Sequence, residues 1–470
     1  MAKYESLVAQ IKHQIESGVW KIGDKLPSLR KQAEQSGMSL MTVLHAYQML
    51  ESQGWVTSKS RSGYSIAPRM ENVTTSPIKA IRSIESIDIN DFIFDVLQAT
   101  RNPHMVSFGY AYPDPSLYPR QQLNKSLVAA ARDLSVSNAL DNLPPGNDTL
   151  RSIIAKRYAA KGMNISPDEI VITAGALEAL SLSLQSVTQP GDWVIVESAT
   201  FYGALQTLER LGLKALFIQT DPKLGMDLNS LEQALQTHSV KACWMMTNMQ
   251  NPLGYTLSDE KKRALVELLQ RYQVPLIEDD VYSELYNGEE LPLPAKAFGH
   301  ENIMHCSSFS KSLVAGFRIG WVAAGKQALA IQKLQLMTTV TTSVPIQLSL
   351  AHYLSTRNYE SHLRQLRRKL HLRKQQTVKC LQQHFPSDVL IHVNAGGYFV
   401  WVELPKQVDT LKLYHDALAK MITIAPGKMF SSMEEFSHCF RINTSFELTE
   451  PRIRAIKMLS SLIKAQLNHA

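Results

Sequence analysis

The chain has 470 residues, 44% of them hydrophobic and 19% charged. At about 100–200 residues per domain this allows two to four domains, and the composition suits a soluble globular protein rather than a disordered or fibrous one. No apolar run reaches the roughly 18 residues of a spanning helix, and MAKYESLVAQ lacks the apolar stretch of a signal peptide, so a cytoplasmic protein is expected. The cysteines, Cys243, Cys306, Cys380 and Cys439, form no CxxC pair. They are expected as small buried hydrophobes, with neither a disulfide framework nor a metal site. The net charge of +7 is uneven: residues 1–70 carry nine Lys/Arg against five Asp/Glu, a surplus of four. A mild basic bias of this kind suits a soluble enzyme or a nucleic-acid binder.

Tyr4, Leu7, Val8, Ile11 and Ile15 form a helical stripe. Ser28, after Pro27, suits the N-cap of a second, short helix that stops at Gly37. Ser39 can cap a third helix with Val43, Ala46, Tyr47 and Leu50 on one face, ended by Gly54. Residues 55–57 and 64–66 read as short strands around a polar turn containing Gly63. Three short helices and a hairpin are the plan of a winged helix-turn-helix, whose later helix enters the major groove. A basic hairpin tip, here Lys59 and Arg61, reaches phosphate or the minor groove. By periodicity alone, a small helical protein-interaction domain fits as well.

The residues themselves narrow this. G-D-K-L-P-S-L-R, Ser-x-x-Thr-Val, A-Y-x-x-L, E-x-x-G and a glycine near the hairpin tip follow in order over about fifty residues. This stretch resembles the DNA-binding domain of the GntR family of bacterial regulators. The resemblance implies that Ser28 and Arg30 contact DNA backbone or a base. It places Ser39 and Thr42 at the groove-facing start of the recognition helix, and Arg61 and Gly63 in the wing. Members often carry Arg just after the serine; here Leu40 and Met41 stand there. Fewer guanidinium–guanine contacts are then available, and readout would lean on Ser/Thr, His45 and DNA shape.

Residues 67–90 are polar without periodicity and read mostly as a linker. DFIFDVLQAT has the spacing of a helix belonging to the second domain, which MVSFGYAYPDPSLYP opens from Met105. Beyond Asp114, helical stretches alternate with the runs EIVITAG, WVIVES, KALFIQT, KACWMMT, VPLIEDD, NIMHCSS and IGWVAAG. Such alternation predicts an α/β domain with a mostly parallel sheet, helices on both faces, and ligands at the strands' C-terminal ends.

Candidate site residues follow those runs. In SSFSKSLVAGFRIGW, Lys311 lies among small hydroxyl residues, seven positions before Arg318. A Schiff-base lysine needs a buried, tuned pocket, and Ser308 and Arg318 could hold a phosphate; a surface lysine among serines is the plain alternative. VITAGALEAL places Gly175 and Ala176 where a strand turns into a helix, a natural phosphate site or a plain turn. LIEDDVYSEL puts Asp279 and Tyr282 after an apolar strand, where a helix cap competes with a site carboxylate. MQNPLGY offers the Asn251 amide or a turn, and SATFYG offers Phe201 to stack or to fill a core. HCFRINTS places Arg441 among apolar residues, where it wants a carboxylate from the protein or a substrate.

Taken in order, A-G-A, E-S-x-T-F, N-P-x-G, D-D-V-Y, S-x-S-K and F-R-I-N are similar to the cofactor site of fold-type I pyridoxal 5'-phosphate (PLP) enzymes, the aspartate aminotransferase class. G-G-Y-F-V-W-V and I-A-P-G-x-x-F fit its small C-terminal α+β subdomain. The resemblance spans about residues 105–465. It implies PLP on Lys311, with Asp279 at the pyridine nitrogen and Asn251 and Tyr282 on the ring hydroxyl. Phe201 would stack on the ring. Gly175, Ala176, Ser308 and Arg318 would hold phosphate, and Arg441, with Asn251, the substrate carboxylate.

A GntR head on an aminotransferase-like body is the layout of the MocR subfamily. It implies a regulator that binds a duplex DNA operator, senses an amino acid or amine, and forms a head-to-tail, domain-swapped homodimer. The expected division is 1–68 head, 69–104 linker and lead-in helix, 105–350 large domain and 351–470 small subdomain. Before Pro144 the class usually carries a Tyr that reaches the partner's phosphate; here Asp141, Asn142 and Leu143 precede the proline, with Tyr112 and Tyr118 upstream. This tells against efficient turnover, and a working aminotransferase with a regulatory or vestigial head is the alternative.

Overall fold

A computed structural model describes residues 3–17, 19–20, 23–52, 55–59, 63–66, 89–134, 143–288, 290–299, 301–431 and 434–469. The chain divides into two compact units, Met1–Ser86 and Ile87–Ala470. Arg61, Asp141, Asn142 and residues 67–88 of the expected linker lie outside the described residues.

In the first unit, helices Lys3–Glu16, Leu29–Ser36 and Leu40–Ser52 precede the antiparallel strands Val56–Lys59 and Gly63–Ile66. The Ser28 hydroxyl caps the second helix by accepting from Lys31 N, and Gly37 ends it in a left-handed conformation, φ 64°. Ser39 Oγ accepts from Thr42 N, which starts the third helix. Val43, Ala46, Tyr47 and Leu50 are fully buried against Leu7, Val8, Ile11, Trp55 and Ile66. The segment before the second helix lines the hairpin: Leu26 N donates to Tyr64 O and Gly23 N to Ile66 O. This is a winged helix-turn-helix, and Gly63 opens the second strand at φ 82°.

The second unit is built on a seven-stranded sheet ordered Ile170–Thr173, Gly320–Ala323, Ile303–Ser308, Leu276–Asp279, Val240–Met245, Trp193–Glu197 and Lys214–Ile218. All seven apolar runs of the sequence become these strands. Gly320–Ala323 runs antiparallel to both neighbours, and the other pairings are parallel. Successive side chains alternate between faces. Val194 and Val196 pack under helices Ala176–Gln185 and Tyr202–Arg210; Ile195 packs on the opposite side with helix Asp259–Arg271. Covered on both faces, the central strands are predominantly apolar rather than alternating, with polar residues such as Glu278 and His305 buried within them.

A second, antiparallel sheet is ordered Leu390–His392, Phe399–Glu403, Cys439–Asn443 and Ala425–Pro426. Helices Thr410–Leu418 and Glu450–His469 cover it. Two features depart from the expected division. Val106–Ser107 pairs with Ile422–Thr423, so the segment from Met105 begins in the small layer. Residue 350 lies inside helix Val344–Thr356, which packs with the large sheet through Leu350 and Tyr353. The next helix, Tyr359–His384, runs from that core at Leu363 to the small layer's at Leu381. All four cysteines are free and buried. Among the described residues no helix is long and apolar enough to cross a membrane.

One backbone contact fixes the sheet's upper edge. A Cβ on Gly320 would stand 2.5 Å from Gly175 C and 2.6 Å from Ala176 N. Gly320→Ala should therefore destabilise the full chain by about 1–3 kcal/mol through overpacking. Gly316→Ala, whose Cβ meets nothing within 4 Å, should leave the thermal midpoint in place. Equal midpoints for both variants would refute the contact's importance.

Candidate functional site

Five of the sheet's strands deliver site residues from their C-terminal ends. The strand ending at Thr173 leads to Gly175, whose φ of 91° suits glycine, and to the N-terminus of helix Ala176–Gln185. The strand ending at Glu197 leads to Phe201, and the one ending at Met245 to Asn251. Leu276–Asp279 ends on Asp279 and is followed by Tyr282; Ile303–Ser308 ends on Ser308 and is followed by Lys311.

Three consecutive acids at the end of Leu276–Asp279 meet three different environments. Glu278 accepts from Thr247 Oγ1, Ala295 N and Lys296 N. Asp280 is held by His305 Nε2 at 2.9 Å and Asn248 Nδ2 at 3.3 Å, and His305 in turn meets Tyr158. Burial pushes Asp280 up, but the His305 hydrogen bond and charge outweigh it and the net direction is down. Asp279 is 2% exposed, and its Oδ1 has no hydrogen-bond partner. Burial, then the adjacent Asp280, pushes its pKa up to about 7, against the opposing charge of Lys311.

Lys311 Nζ donates to Ala111 O at 3.0 Å and sits 3.7 Å from the Tyr112 ring centroid and 5.8 Å from that of Tyr282. Burial, then the cations Arg441 and Arg318, pulls its pKa down to about 7, while Asp279 holds it up. Near neutral pH it therefore offers a substantial fraction of free amine, the nucleophilic form.

Arg441, in the strand Cys439–Asn443, is fully buried. Its Nη1 donates to Asn251 Oδ1 at 2.6 Å and its Nη2 to Gly109 O at 3.0 Å, while Nε has no partner. Phe399 and Phe430 lie 4.0 and 5.0 Å from its Cζ. Its neighbours are amide, carbonyl and aromatic groups, and no ion pair to it is formed among the described residues. A buried cation without an anion is costly, so the geometry invites a carboxylate from outside.

Arg318 adopts φ 53°, a conformation L-residues rarely hold, and its guanidinium lies against the Gly175 turn, Nη2 donating to Ala174 O at 3.4 Å. The Ser308 hydroxyl accepts from Ser310 N at 3.4 Å, while the buried Ser310 Oγ has no partner. Cation and helix N-terminus meet at the Gly175 turn and make an anion-binding corner.

Lys311, Asp279, Tyr282, Asn251 and Arg441 thus share one cluster, with Gly175, Ala176 and Arg318 forming its corner. Phe201 is less central: its ring packs on Gly203 and on Tyr202, 4.6 Å away. Sequence reasoning named Tyr112 and Tyr118 only as the tyrosines upstream of Pro144 and gave no site role to Phe399, Phe430 or Ser310. Here Tyr112 lies over the lysine, the Tyr118 hydroxyl donates to Ser310 O at 2.9 Å, and Phe399 and Phe430 lie beside Arg441. The dense aromatic string GYAYPDPSLY was the available signal. In the first unit, Ser28, Arg30 and Ser39 are exposed and Thr42 is half-buried.

Removing the carboxylate charge of Asp279 takes away the one acid that raises the Lys311 pKa. In cofactor-free protein, trinitrobenzenesulfonate labelling of Lys311, followed by peptide mass spectrometry, should have its midpoint near pH 7. Asp279→Asn should move that midpoint lower. A midpoint near 10, or no shift in the variant, would contradict the electrostatics.

Residues 116–456 match the family described as aminotransferase class I and II, and residues 3–66 match bacterial regulatory proteins of the gntR family. The chain is 57% identical to the uncharacterized HTH-type transcriptional regulator YdcR of Escherichia coli K12, over 99% of this chain and 100% of that protein. Among solved structures it is similar to the α-aminoadipate aminotransferase LysN of Thermus thermophilus, complexed with N-(5'-phosphopyridoxyl)-L-leucine. That likeness has a TM-score of 0.73 at 25% identity, covering 80% of this chain and 95% of that one. Kynurenine aminotransferase of Pyrococcus horikoshii, solved with PMP, gives a TM-score of 0.72 at 26% identity, over 82% and 96%. The chain belongs to the MocR subfamily of GntR-family regulators, in which a winged helix-turn-helix is fused to a class I and II aminotransferase domain.

Proposed function

We propose that this protein is a cytoplasmic transcription regulator that binds duplex DNA through its first unit and senses an amino acid or amine through PLP held on Lys311. The observation that carries the cofactor assignment is the orphaned, buried Oδ1 of Asp279, in the same pocket as an amine shifted to about 7. A protonated pyridine nitrogen is the donor that such an oxygen lacks. The residues present fit the group: Asp279 would face the ring nitrogen, Asn251 and Tyr282 the ring hydroxyl, and Phe201 the ring face. Gly175, Ala176, Ser308 and Arg318 would take the phosphate. When bound, PLP supplies a carbonyl for amines and an electron-withdrawing ring.

The chain's own residues do the rest. Lys311 presents a free amine at neutral pH and can hold or return a proton at Nζ. Asp279, pushed up to about 7 by burial, would be held in its charged form by a protonated ring nitrogen at its open oxygen. Arg441, steadied by Asn251, binds the effector's carboxylate and offsets its own burial. For regulation, the effector must bind two arrangements of the protein unequally, because equal affinity shifts nothing. The same Lys311, Asp279 and Arg441 set serves transamination, the secondary reading. For DNA, Ser28, Arg30, Ser39, Thr42, Arg61 and Gly63 are the proposed contacts. A homodimer, with head-to-tail exchange, is the proposed assembly; the exposed apolar side chains of Leu177, Leu336, Met337 and Val340 on the second unit support a partner surface.

Three outcomes test these assignments. Titrating the purified protein with PLP should produce an absorbance band that Lys311→Ala lacks; an unchanged band in that variant would refute the assignment. Amino acids should perturb this band and the affinity for an operator duplex, and Arg441→Ala should keep the band while losing the response. If a panel of amino acids and amines leaves both spectrum and DNA affinity unchanged, the sensor reading is wrong. Met337→Asp should shift the sedimentation coefficient from dimer to monomer, and a monomeric parent chain would refute the assembly.

A further inference from the structure

The recognition helix, Leu40–Ser52, carries no Lys, Arg, Asp or Glu before Glu51. Its leading residues are apolar and bare: Leu40 is 46% exposed and Met41 70%. The two hydroxyls beside them are occupied. Ser39 Oγ and Thr42 Oγ1 lie 2.8 Å apart, and Ser39 Oγ also takes the Thr42 amide. His45, one turn on, packs edge-to-face on Tyr4 at 4.5 Å. The exposed polar position further along this face is Gln48. Elsewhere in this unit Lys25, Arg30 and Lys31 are exposed, beside the exposed acids Asp24 and Glu34, so cations for phosphate lie outside the recognition helix.

A helix that offers methyl-rich side chains and an amide, but no cation, at its groove-facing end cannot use the Arg–guanine fork. It matches A·T pairs instead: aliphatic side chains pack on the thymine C5-methyl, and Gln pairs with the N6/N7 edge of adenine. We infer that Leu40 and Met41 are specificity-determining contacts to thymine methyl groups in the major groove, so that the operator half-sites are thymine-bearing where this helix enters. This rests on the DNA-binding reading above. The exposure of two large apolar residues on an otherwise polar face then has a reason, since the methyl groups remove them from water. Cations such as Arg30 and Lys31, outside this helix, would position the head on phosphate without reading sequence.

The test replaces thymine with uracil, which deletes only the methyl and leaves the protein untouched. Duplexes are selected from a random library with the full-length, PLP-loaded protein, then resynthesised with dUTP and compared at fixed salt. Each buried methyl lost should weaken binding about fourfold. The Leu40→Ala, Met41→Ala variant should abolish that difference while keeping the salt dependence that phosphate contacts impose. Equal affinity for thymine and uracil duplexes would overturn the methyl contacts while leaving DNA binding intact. A thymine preference that survives in the double variant would assign it to DNA shape and likewise overturn them. Retention of no duplex even at low salt would overturn the DNA-binding reading itself.

Discussion

The second unit is organised around charges that are buried without full compensation. Lys311, Asp279 and Arg441 share one low-dielectric pocket, with Arg318 at its edge. Each costs free energy there unless something completes its partnering. Their neighbours show that this is local. Glu278 and Asp280, flanking Asp279, are well hydrogen-bonded, through backbone N–H groups and Thr247 on one side and His305 and Asn248 on the other. The chain is able to satisfy a buried acid, and it leaves one oxygen of Asp279 open.

That pocket depends on close backbone contacts at its rim. Gly320 admits the Gly175 turn, and Arg318 gives up ordinary φ so that its guanidinium lies on the same turn. The first and last parts of the second unit meet here as well. Gly109 O accepts from Arg441, and Ala111 O accepts from both Lys311 and Tyr398. A ligand that neutralises Arg441 and Lys311 would therefore act on the joint between the large sheet and the small layer. Such a joint, biased by ligand charge, is the kind of element a sensor needs.

The first unit follows a different logic. Its core is completed by Val43, Ala46, Tyr47 and Leu50 on the inner face of the recognition helix. Apart from His45 on Tyr4, the outer face takes no part in that core. Leu40 and Met41 add nothing to that core, so their chemistry is available for recognition.

Much of this was legible in the sequence because the signals are local. Ser28 caps a helix with its hydroxyl and Gly37 ends it in a left-handed conformation, and seven largely apolar runs became seven strands because strands covered on both faces are predominantly apolar. The ordered motifs around Lys311 and Asp279 named the principal site residues, since each follows a strand end. Short-range pattern determined the element types, and the resemblance of the ordered motifs to known families carried the two-part layout and the family. What only the tertiary structure decided depends on residues distant in sequence. The orphaned oxygen of Asp279, the pairing of Val106–Ser107 with the strand at Ile422, and Tyr112 over Lys311 across 199 positions arise from packing. So does the mutual hydrogen bond of Ser39 and Thr42, near in sequence but settled by side-chain orientation. A sequence pattern states which groups are present; desolvation and distance set their charge and partners, and both exist only once the chain has closed around them.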